Sequence, residues 1–241
     1  LLWIHTAIAD TPMPHIILTL LLILTVSASA AQPEIPTQRV ADLAKTIAQQ
    51  PRGFGPTCTN RVAWKTPTIV DRTAQVRQSA EQLLKQDFPA WSQDLYRDYA
   101  RTGTRPNGEK MMNDRKAWLY PLVIAECVEG QGRFMPAIEL TITELINQPT
   151  WTWPAHNKPQ TRQLNGHDDV DLLAADIALE LAQALYLLGD WLPTPLHQRT
   201  LSALEQRIFD PLRKSFLGKS KSNYWLRTTN NWNAVCLAGV V

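Results

Sequence analysis

The stretch DDVDLLAADIALELAQALYLLG, residues 168–189, decides the fold class of this chain. Its apolar residues recur every three or four positions, as they do on the buried face of an α-helix. Either Asp168 or Asp169 is expected to cap the N-terminus of this helix, and Gly189 is expected to end it. We therefore predict a long helix in the core of the protein. Its predicted apolar stripe is Leu172, Ala175, Leu179, Ala182, Leu185 and Tyr186.

The segments on either side of this helix show the same spacing. Phe88, Trp91, Leu95 and Tyr99 are spaced like one helix face, with Asp87 as the expected N-cap. No alternation of apolar and polar residues typical of strands occurs after residue 70, so we expect an all-α fold. Four further helical stripes cover residues 116–129, 136–146, 201–212 and 232–240.

The composition excludes several classes of protein. Of the 241 residues, 44% are apolar and the formal net charge is only +2, which excludes a disordered chain. The small net charge also gives no electrostatic reason to expect nucleic-acid binding. The nine tryptophans have two interpretations, helix packing or flat apolar surfaces for a ligand such as a sugar ring. Composition alone leaves both open.

The three cysteines, Cys58, Cys127 and Cys236, are far apart in the sequence. They form no C-x-x-C pair, so their spacing predicts neither a disulfide framework nor a zinc site. Cys127 and Cys236 lie in apolar helical stretches, and we expect them to be buried as small hydrophobic residues. We accordingly expect no metal site and no cofactor.

Residues 13–30 are predicted to be a signal peptide. Residues 16–26, IILTLLLILTV, are shorter than the about 20 apolar residues that span a bilayer, and Ala28-Ser29-Ala30 suits signal peptidase. Residues 1–12 are interpreted as upstream residues that do not belong to the native protein. We expect a periplasmic or secreted protein without a stable membrane anchor after cleavage, and an uncleaved anchor helix is the alternative.

Residues 31–70 contain five prolines and no clear helical period, so we expect a linker or a segment that wraps around the domain. Residues 71–241 are expected to form that domain. The apolar stripe of the last predicted helix continues to residue 241 without a following Gly or Pro. We therefore expect the N-terminal part of an incomplete domain.

Two clusters of polar and aromatic residues are candidates for chemistry. The first covers residues 224–233, YWLRTTNNWN, and places Asn230, Asn231, Trp232 and Asn233 at a predicted helix N-terminus. Amide donors and free backbone N–H groups at such a position suit a carboxylate. Helix capping is the alternative. The second is the loop WTWPAHN, residues 151–157.

In this loop, His156 follows Trp153 and is a candidate proton shuttle beside an apolar ring. The alternative is a loop histidine that is only tethered by hydrogen bonds. Arg105 lies in a basic turn after a predicted helix and is a candidate for binding an anionic substrate.

Several short motifs resemble the heparinase II/III-like family of polysaccharide lyases over about residues 75–241. The most specific is NNWNAVC at residues 230–236, and the weaker ones are PAHN at 154–157, DVDL at 169–172, FPAW at 88–91 and RTGTR at 101–105. The resemblance implies a partial (α/α) toroid of antiparallel helix hairpins, followed in the family by the rest of the toroid and by β-sandwich domains. It also implies β-elimination on an anionic, uronic-acid-containing polysaccharide.

By this resemblance, Asn231 would neutralise the substrate carboxylate with support from Asn230 and Asn233. In several lyases of this group a His follows the Asn, whereas Trp232 stands there in this chain, so His156 is the base candidate. The family's catalytic Tyr and later His would follow residue 241. Substrate-binding residues would be Asn230, Trp232, Asn233, Trp153 and Arg105.

Two other functions stay open from the sequence. A toroid glycoside hydrolase would need two carboxylates across a cleft, and no acid pair stands out from the acids that cap helices. A non-catalytic carbohydrate-binding scaffold would use the tryptophan-rich face without chemistry.

Overall fold

The structure is a computed structural model that describes residues 37–46, 55–157 and 169–240. Every regular element in these ranges is helical, which confirms the all-α prediction. The predicted signal peptide and residues 1–12 lie outside the described residues. The helices are α1 Thr37–Thr46, α2 Arg61–Trp64, α3 Pro67–Arg72, α4 Ala74–Leu83, α5 Gln93–Thr102, α6 Pro106–Lys116, α7 Leu119–Glu129, α8 Met135–Asn147, α9 Leu172–Leu188, α10 Thr194–Leu204, α11 Asp210–Phe216 and α12 Asn231–Val240.

Helix α9 is the central core helix, and it packs against α7, α10 and α12. The expected stripe was only partly right, because Ala182 is exposed. By length and composition alone, Leu172–Trp191 could cross a membrane, and half of its apolar window is buried inside the structure. The buried residues of α9 are Leu173, Ala174, Ala175, Ile177, Ala178, Leu181, Ala184, Leu185 and Leu188.

The N-cap of α9 is Asp171, so the predicted cap at Asp168 or Asp169 was wrong for the described Asp169. The Asp171 carboxylate accepts the backbone N–H of Ala174 at 2.8 Å. The helix cannot begin earlier because the backbone of Val170 is bound elsewhere. Its N–H donates to Asn223 Oδ1 at 2.7 Å, and its carbonyl accepts the indole N–H of Trp225 at 2.8 Å.

Helix α5 begins later than the apolar spacing predicts. Asp87 is not a cap, because residues 87–91 are not helical, and Ser92 caps the helix by accepting the N–H of Leu95 at 3.3 Å. The non-helical stretch is held by Arg115, whose guanidinium donates to the carbonyl of Pro89. The apolar spacing of this region therefore reflects packing against the core and does not mean that the region is one continuous helix.

The segment before α2 and α3 is attached to the core by a disulfide. Cys58 and Cys127 are bonded across 69 residues of sequence, with their Cα atoms 4.4 Å apart. This corrects the expectation of no disulfide and of Cys127 as a simple buried hydrophobe, because sequence spacing carries no information on such a distant contact. Cys236 is buried and free, and burial raises the pKa of its thiol to about 12.

Helix α12 packs on α9 at a very short separation. A Cβ atom at Gly239 would lie 2.8 Å from the carbonyl oxygen of Ala175 in α9. Before α12, Asn223 adopts the left-handed conformation with φ 55°, and its side chain binds the start of α9 as described above. These contacts fix the N-terminus of α12 beside the N-terminus of α9, where the candidate site lies.

Candidate functional site

The loop that carries His156 is held in place by hydrogen bonds at both ends. Trp151 donates its indole N–H to the carbonyl of Leu145 at 2.8 Å, and Thr152 donates its hydroxyl to the carbonyl of Asp169 at 2.7 Å. The backbone N–H of His156 donates to the carbonyl of Trp153 at 3.0 Å, which closes a turn. The loop is therefore a defined support for the imidazole.

Tyr96 connects this loop to helix α5. Its hydroxyl donates to the carbonyl of Thr152 at 3.0 Å and accepts the side-chain N–H of Asn157 at 2.8 Å. The phenol is buried, and this burial raises the pKa of Tyr96 to about 12. Tyr96 therefore stays neutral as a donor across the ordinary pH range.

Asp171 binds His156 directly. The distance from Asp171 Oδ2 to His156 Nδ1 is 2.8 Å, and the same oxygen accepts the backbone N–H of Trp153 at 2.9 Å. Only 2% of the Asp171 side chain and 15% of the His156 side chain are exposed. The carboxylate that caps α9 thus also determines how the imidazole is oriented.

The second ring nitrogen of His156 faces Arg105. The distance from Arg105 Nη2 to His156 Nε2 is 3.4 Å. Arg105 also donates from Nε to Glu109 at 2.7 Å, and its side chain is half exposed. The structure therefore places this predicted substrate-binding residue beside the predicted base, at the surface.

Two aromatic rings pack against His156. The Trp232 ring centroid lies 4.5 Å from that of His156, and the Trp153 centroid lies 5.4 Å from it. The Tyr224 ring centroid lies 5.8 Å from that of Trp232. The indole nitrogen of Trp153 is buried and has no hydrogen-bond partner among the described residues. The rings of Trp153, Trp232 and Tyr224 thus form an aromatic cluster with the imidazole of His156.

The three predicted asparagines have different environments. Asn230 accepts the backbone N–H of Asn233 at 3.3 Å, which is a helix-capping contact. Asn233 donates its side-chain N–H to the carbonyl of Trp225 at 3.0 Å. Asn231 is exposed at the first position of α12, and its side chain makes no hydrogen bond within the described ranges. The side-chain N–H group of Asn233 is therefore occupied, whereas those of Asn230 and Asn231 make no hydrogen bond within the described ranges.

The structure brings the two predicted clusters together, because Trp232 from one contacts His156 from the other. Sequence reasoning missed Asp171 and Tyr96 as members of the site. Asp171 belongs to the DVDL motif, where its position before an Ala-rich helix indicated only capping. Nothing in the sequence indicated Tyr96, which lies 60 residues from His156 in the chain.

The described part of the chain contains no group of three or more His, Cys, Asp or Glu side chains arranged to hold a metal ion. No protein-family model matches the chain, and a search of curated proteins found no match.

Proposed function

We propose that the chain belongs to an exported polysaccharide lyase that cleaves uronic-acid-containing polysaccharide by β-elimination. Its helices would form the N-terminal part of an (α/α) toroid, as the resemblance of its motifs implies. The observation that carries this proposal is the 4.5 Å contact between the rings of His156 and Trp232. This contact joins the base candidate to the NNWNAVC segment that carries the carboxylate-binding candidates.

The reaction requires a group that removes the proton at C5 of the uronate and donors that stabilise its carboxylate. In this proposal, His156 Nε2 takes the proton, and the C–H electron pair forms the C4–C5 double bond. The bond from C4 to the glycosidic oxygen breaks, and that oxygen leaves with a proton from a donor. Negative charge grows on the carboxylate, so fixed donors there favour the transition state.

Asn231 is the proposed donor to this carboxylate. Its side-chain amide is exposed at the first position of α12. The backbone N–H groups of the first turn of a helix, together with the positive end of its dipole, attract an anion. Arg105 supplies a positive charge beside His156 Nε2, and Trp153 and Trp232 supply the apolar surface for the sugar rings.

Export is supported by the disulfide between Cys58 and Cys127. Structural disulfides form in the periplasm or outside the cell and are rare in the cytosol. The disulfide agrees with the signal peptide expected from residues 13–30.

The test uses the full-length protein with heparin, chondroitin, alginate and pectin-type substrates. Cleavage by β-elimination creates a conjugated unsaturated uronate, and the expected result is a rise in ultraviolet absorbance with at least one of them. No rise with any substrate would overturn the proposal. His156→Ala is expected to lower kcat by about 100-fold or more, since general bases contribute this much. The matched control His197→Ala removes a histidine of α10 outside the site.

Asn231→Ala tests the carboxylate-binding assignment separately. Loss of one fixed donor to a developing charge is expected to lower kcat by about 100-fold. Asn113→Ala is the matched control, because Asn113 is also an exposed helical asparagine and lies outside the site. Full activity of Asn231→Ala would overturn the assignment of this residue.

A non-catalytic carbohydrate-binding scaffold is the second candidate, and the ring surface of Trp153, Trp232 and Tyr224 favours it. Binding of a polysaccharide without any rise in absorbance would select it over the lyase. A glycoside hydrolase receives no such support. The carboxylate that contacts His156 belongs to Asp171, which is buried and already accepts three hydrogen bonds.

A further inference from the structure

We propose that Asp171 is the positioning residue of this site and fixes His156 as the tautomer that carries its proton on Nδ1. Nε2 is then the atom that exchanges a proton. The effect on catalysis rests on the proposed lyase function, whereas the tautomer follows from the contacts of the ring alone.

The first argument comes from the partner of Nδ1. A carboxylate oxygen is an acceptor, so the 2.8 Å contact between Asp171 Oδ2 and His156 Nδ1 requires the ring nitrogen to donate. Asp171 already accepts the backbone N–H groups of Trp153 and Ala174. Three donors converge on this one carboxylate, and the arrangement fits its acceptor form.

The second argument comes from the partner of Nε2 and is independent of the first. A guanidinium group has only donors, so the contact from Arg105 Nη2 requires His156 Nε2 to accept. The fully protonated imidazolium would set two donors against each other at this position. Both neighbours therefore select the same neutral tautomer, with the lone pair of Nε2 facing Arg105.

The third argument concerns rigidity. Asp171 Oδ1 is bound to the first turn of α9 at 2.8 Å, and Oδ2 is bound to the loop at Trp153. The carboxylate cannot rotate without breaking one of these contacts, and only 2% of the side chain is exposed. The imidazole orientation is thereby coupled to a core helix, which suits a base that must meet a substrate proton in one geometry.

The test is a ¹H–¹⁵N spectrum of the histidine rings in the full-length protein, recorded through two-bond couplings, with the His156 signals assigned by loss in His156→Ala. At a pH where the ring is neutral, the expected pattern is a protonated Nδ1 and an unprotonated Nε2. A protonated Nε2 would overturn the proposal whether or not the protein is a lyase.

The informative variant is Asp171→Ser, because Ser can still cap α9 but its short side chain does not supply the acceptor for His156 Nδ1. The Nε2–H tautomer is expected to become populated in this variant. With a substrate that the protein cleaves, kcat is expected to fall by about 100-fold, with KM changed far less.

Ser92→Ala is the control, because it removes the cap of α5 and leaves the contacts of His156 in place. It is expected to change stability but neither the ring signals nor kcat. If Asp171→Ser left the tautomer unchanged, Asp171 would not be the positioning residue. If the tautomer behaved as expected but no uronate polysaccharide were cleaved, the lyase proposal alone would fail.

Discussion

Helices α7 and α9 each have one terminus that is hydrogen-bonded to a charged side chain. The two termini differ in the further hydrogen bond that this side chain makes. At the C-terminus of α7, the guanidinium of Arg61 donates to the carbonyls of Cys127 and Val128. At the N-terminus of α9, the carboxylate of Asp171 accepts the N–H of Ala174. Each charge is opposite in sign to the helix dipole at its end, so both are stabilising.

The difference lies in the further hydrogen bonds that the side chains of Arg61 and Asp171 make. Arg61 directs a further contact to the carbonyl of Cys58, the residue whose disulfide closes this region. Asp171 directs its further contact to His156, a titratable ring whose other nitrogen faces the surface. A charged side chain bonded to a helix terminus is therefore purely structural at α7, whereas at α9 it is part of a candidate site.

We refer to Cys58, Cys127 and Arg61 as the α7 clamp. The comparison predicts that changes to the α7 clamp lower stability without altering the chemistry at His156. Changes at the α9 end are expected to affect both. The following variants test this separation, from the largest expected effect to the smallest.

The double variant Cys58→Ser/Cys127→Ser is expected to have the largest effect. The disulfide closes a loop of 69 residues. Its removal is expected to lower the free energy of unfolding by about 4 kcal/mol through the larger entropy of the unfolded chain. Denaturant unfolding measures this, with Cys236→Ala as the control for loss of a cysteine that is not bonded. An altered His156 tautomer in the refolded variant would contradict the separation of the two ends.

Arg61→Leu removes the guanidinium and leaves the three carbonyls without their charged donor. Hydrogen bonds from charged groups to buried acceptors are strong, so we expect a loss of about 3 kcal/mol in the free energy of unfolding. Arg72→Leu is the matched control, because Arg72 is exposed on the short helix α3. Equal losses in the two variants would show that the contacts to Cys127 and Val128 do not contribute.

Tyr96 is hydrogen-bonded to the loop that carries His156. Its buried phenol is expected to make the free energy of unfolding depend on pH. The pKa of its phenol is raised to about 12 in the folded protein by burial. Because the ordinary value is about 10, the unfolded chain loses its proton first and stability falls as pH rises through this window. At about 1.36 kcal/mol for each pKa unit, the rise from about 10 to about 12 corresponds to a loss of about 3 kcal/mol attributable to Tyr96 across the whole window.

Urea unfolding of the native protein and of Tyr96→Phe at several alkaline pH values measures this contribution. The variant is expected to show a smaller fall in stability between about pH 10 and 12. Tyr120→Phe, at an exposed tyrosine, is expected to keep the full fall. Identical pH dependence in Tyr96→Phe and the native protein would contradict the role of burial at this phenol.

The all-α class and most helix positions could be predicted because apolar spacing is a local property of the chain. Gly130 ends α7 in the left-handed conformation, and α12 begins at Asn231, both close to where the sequence indicated. The start of α9 could not be predicted, because it depends on contacts of Val170 with Asn223 and Trp225 more than 50 residues away.

The candidate site shows the same limit. The motifs predicted His156 and Trp232 separately, and their contact depends on how α12 packs on α9. The pairing of Cys58 with Cys127 was missed for the same reason. The local sequence indicates which residues are candidates for a functional site. The partners that orient these residues depend on packing between distant segments.

The smallest predicted effect concerns the contact that places Trp232 beside His156. A Cβ at Gly239 would lie 2.8 Å from the backbone oxygen of Ala175, which cannot move without shifting α9. Gly239→Ala is therefore expected to lower the free energy of unfolding by about 1 kcal/mol, since overpacking outweighs the better helix propensity of Ala. Ala238→Ser, at the exposed neighbouring position, is the control.

Because Gly239 and Trp232 lie on the same helix, the shift should also separate the Trp232 and His156 rings. The ring-current shift of the His156 protons measures this separation directly, independently of stability. We expect it to shrink in Gly239→Ala and to stay unchanged when the α7 clamp is altered. A stability loss without any change in this shift would mean that α12 adjusts near Gly239 alone. The position of Trp232 would then be set by Asn233 and its bond to the carbonyl of Trp225.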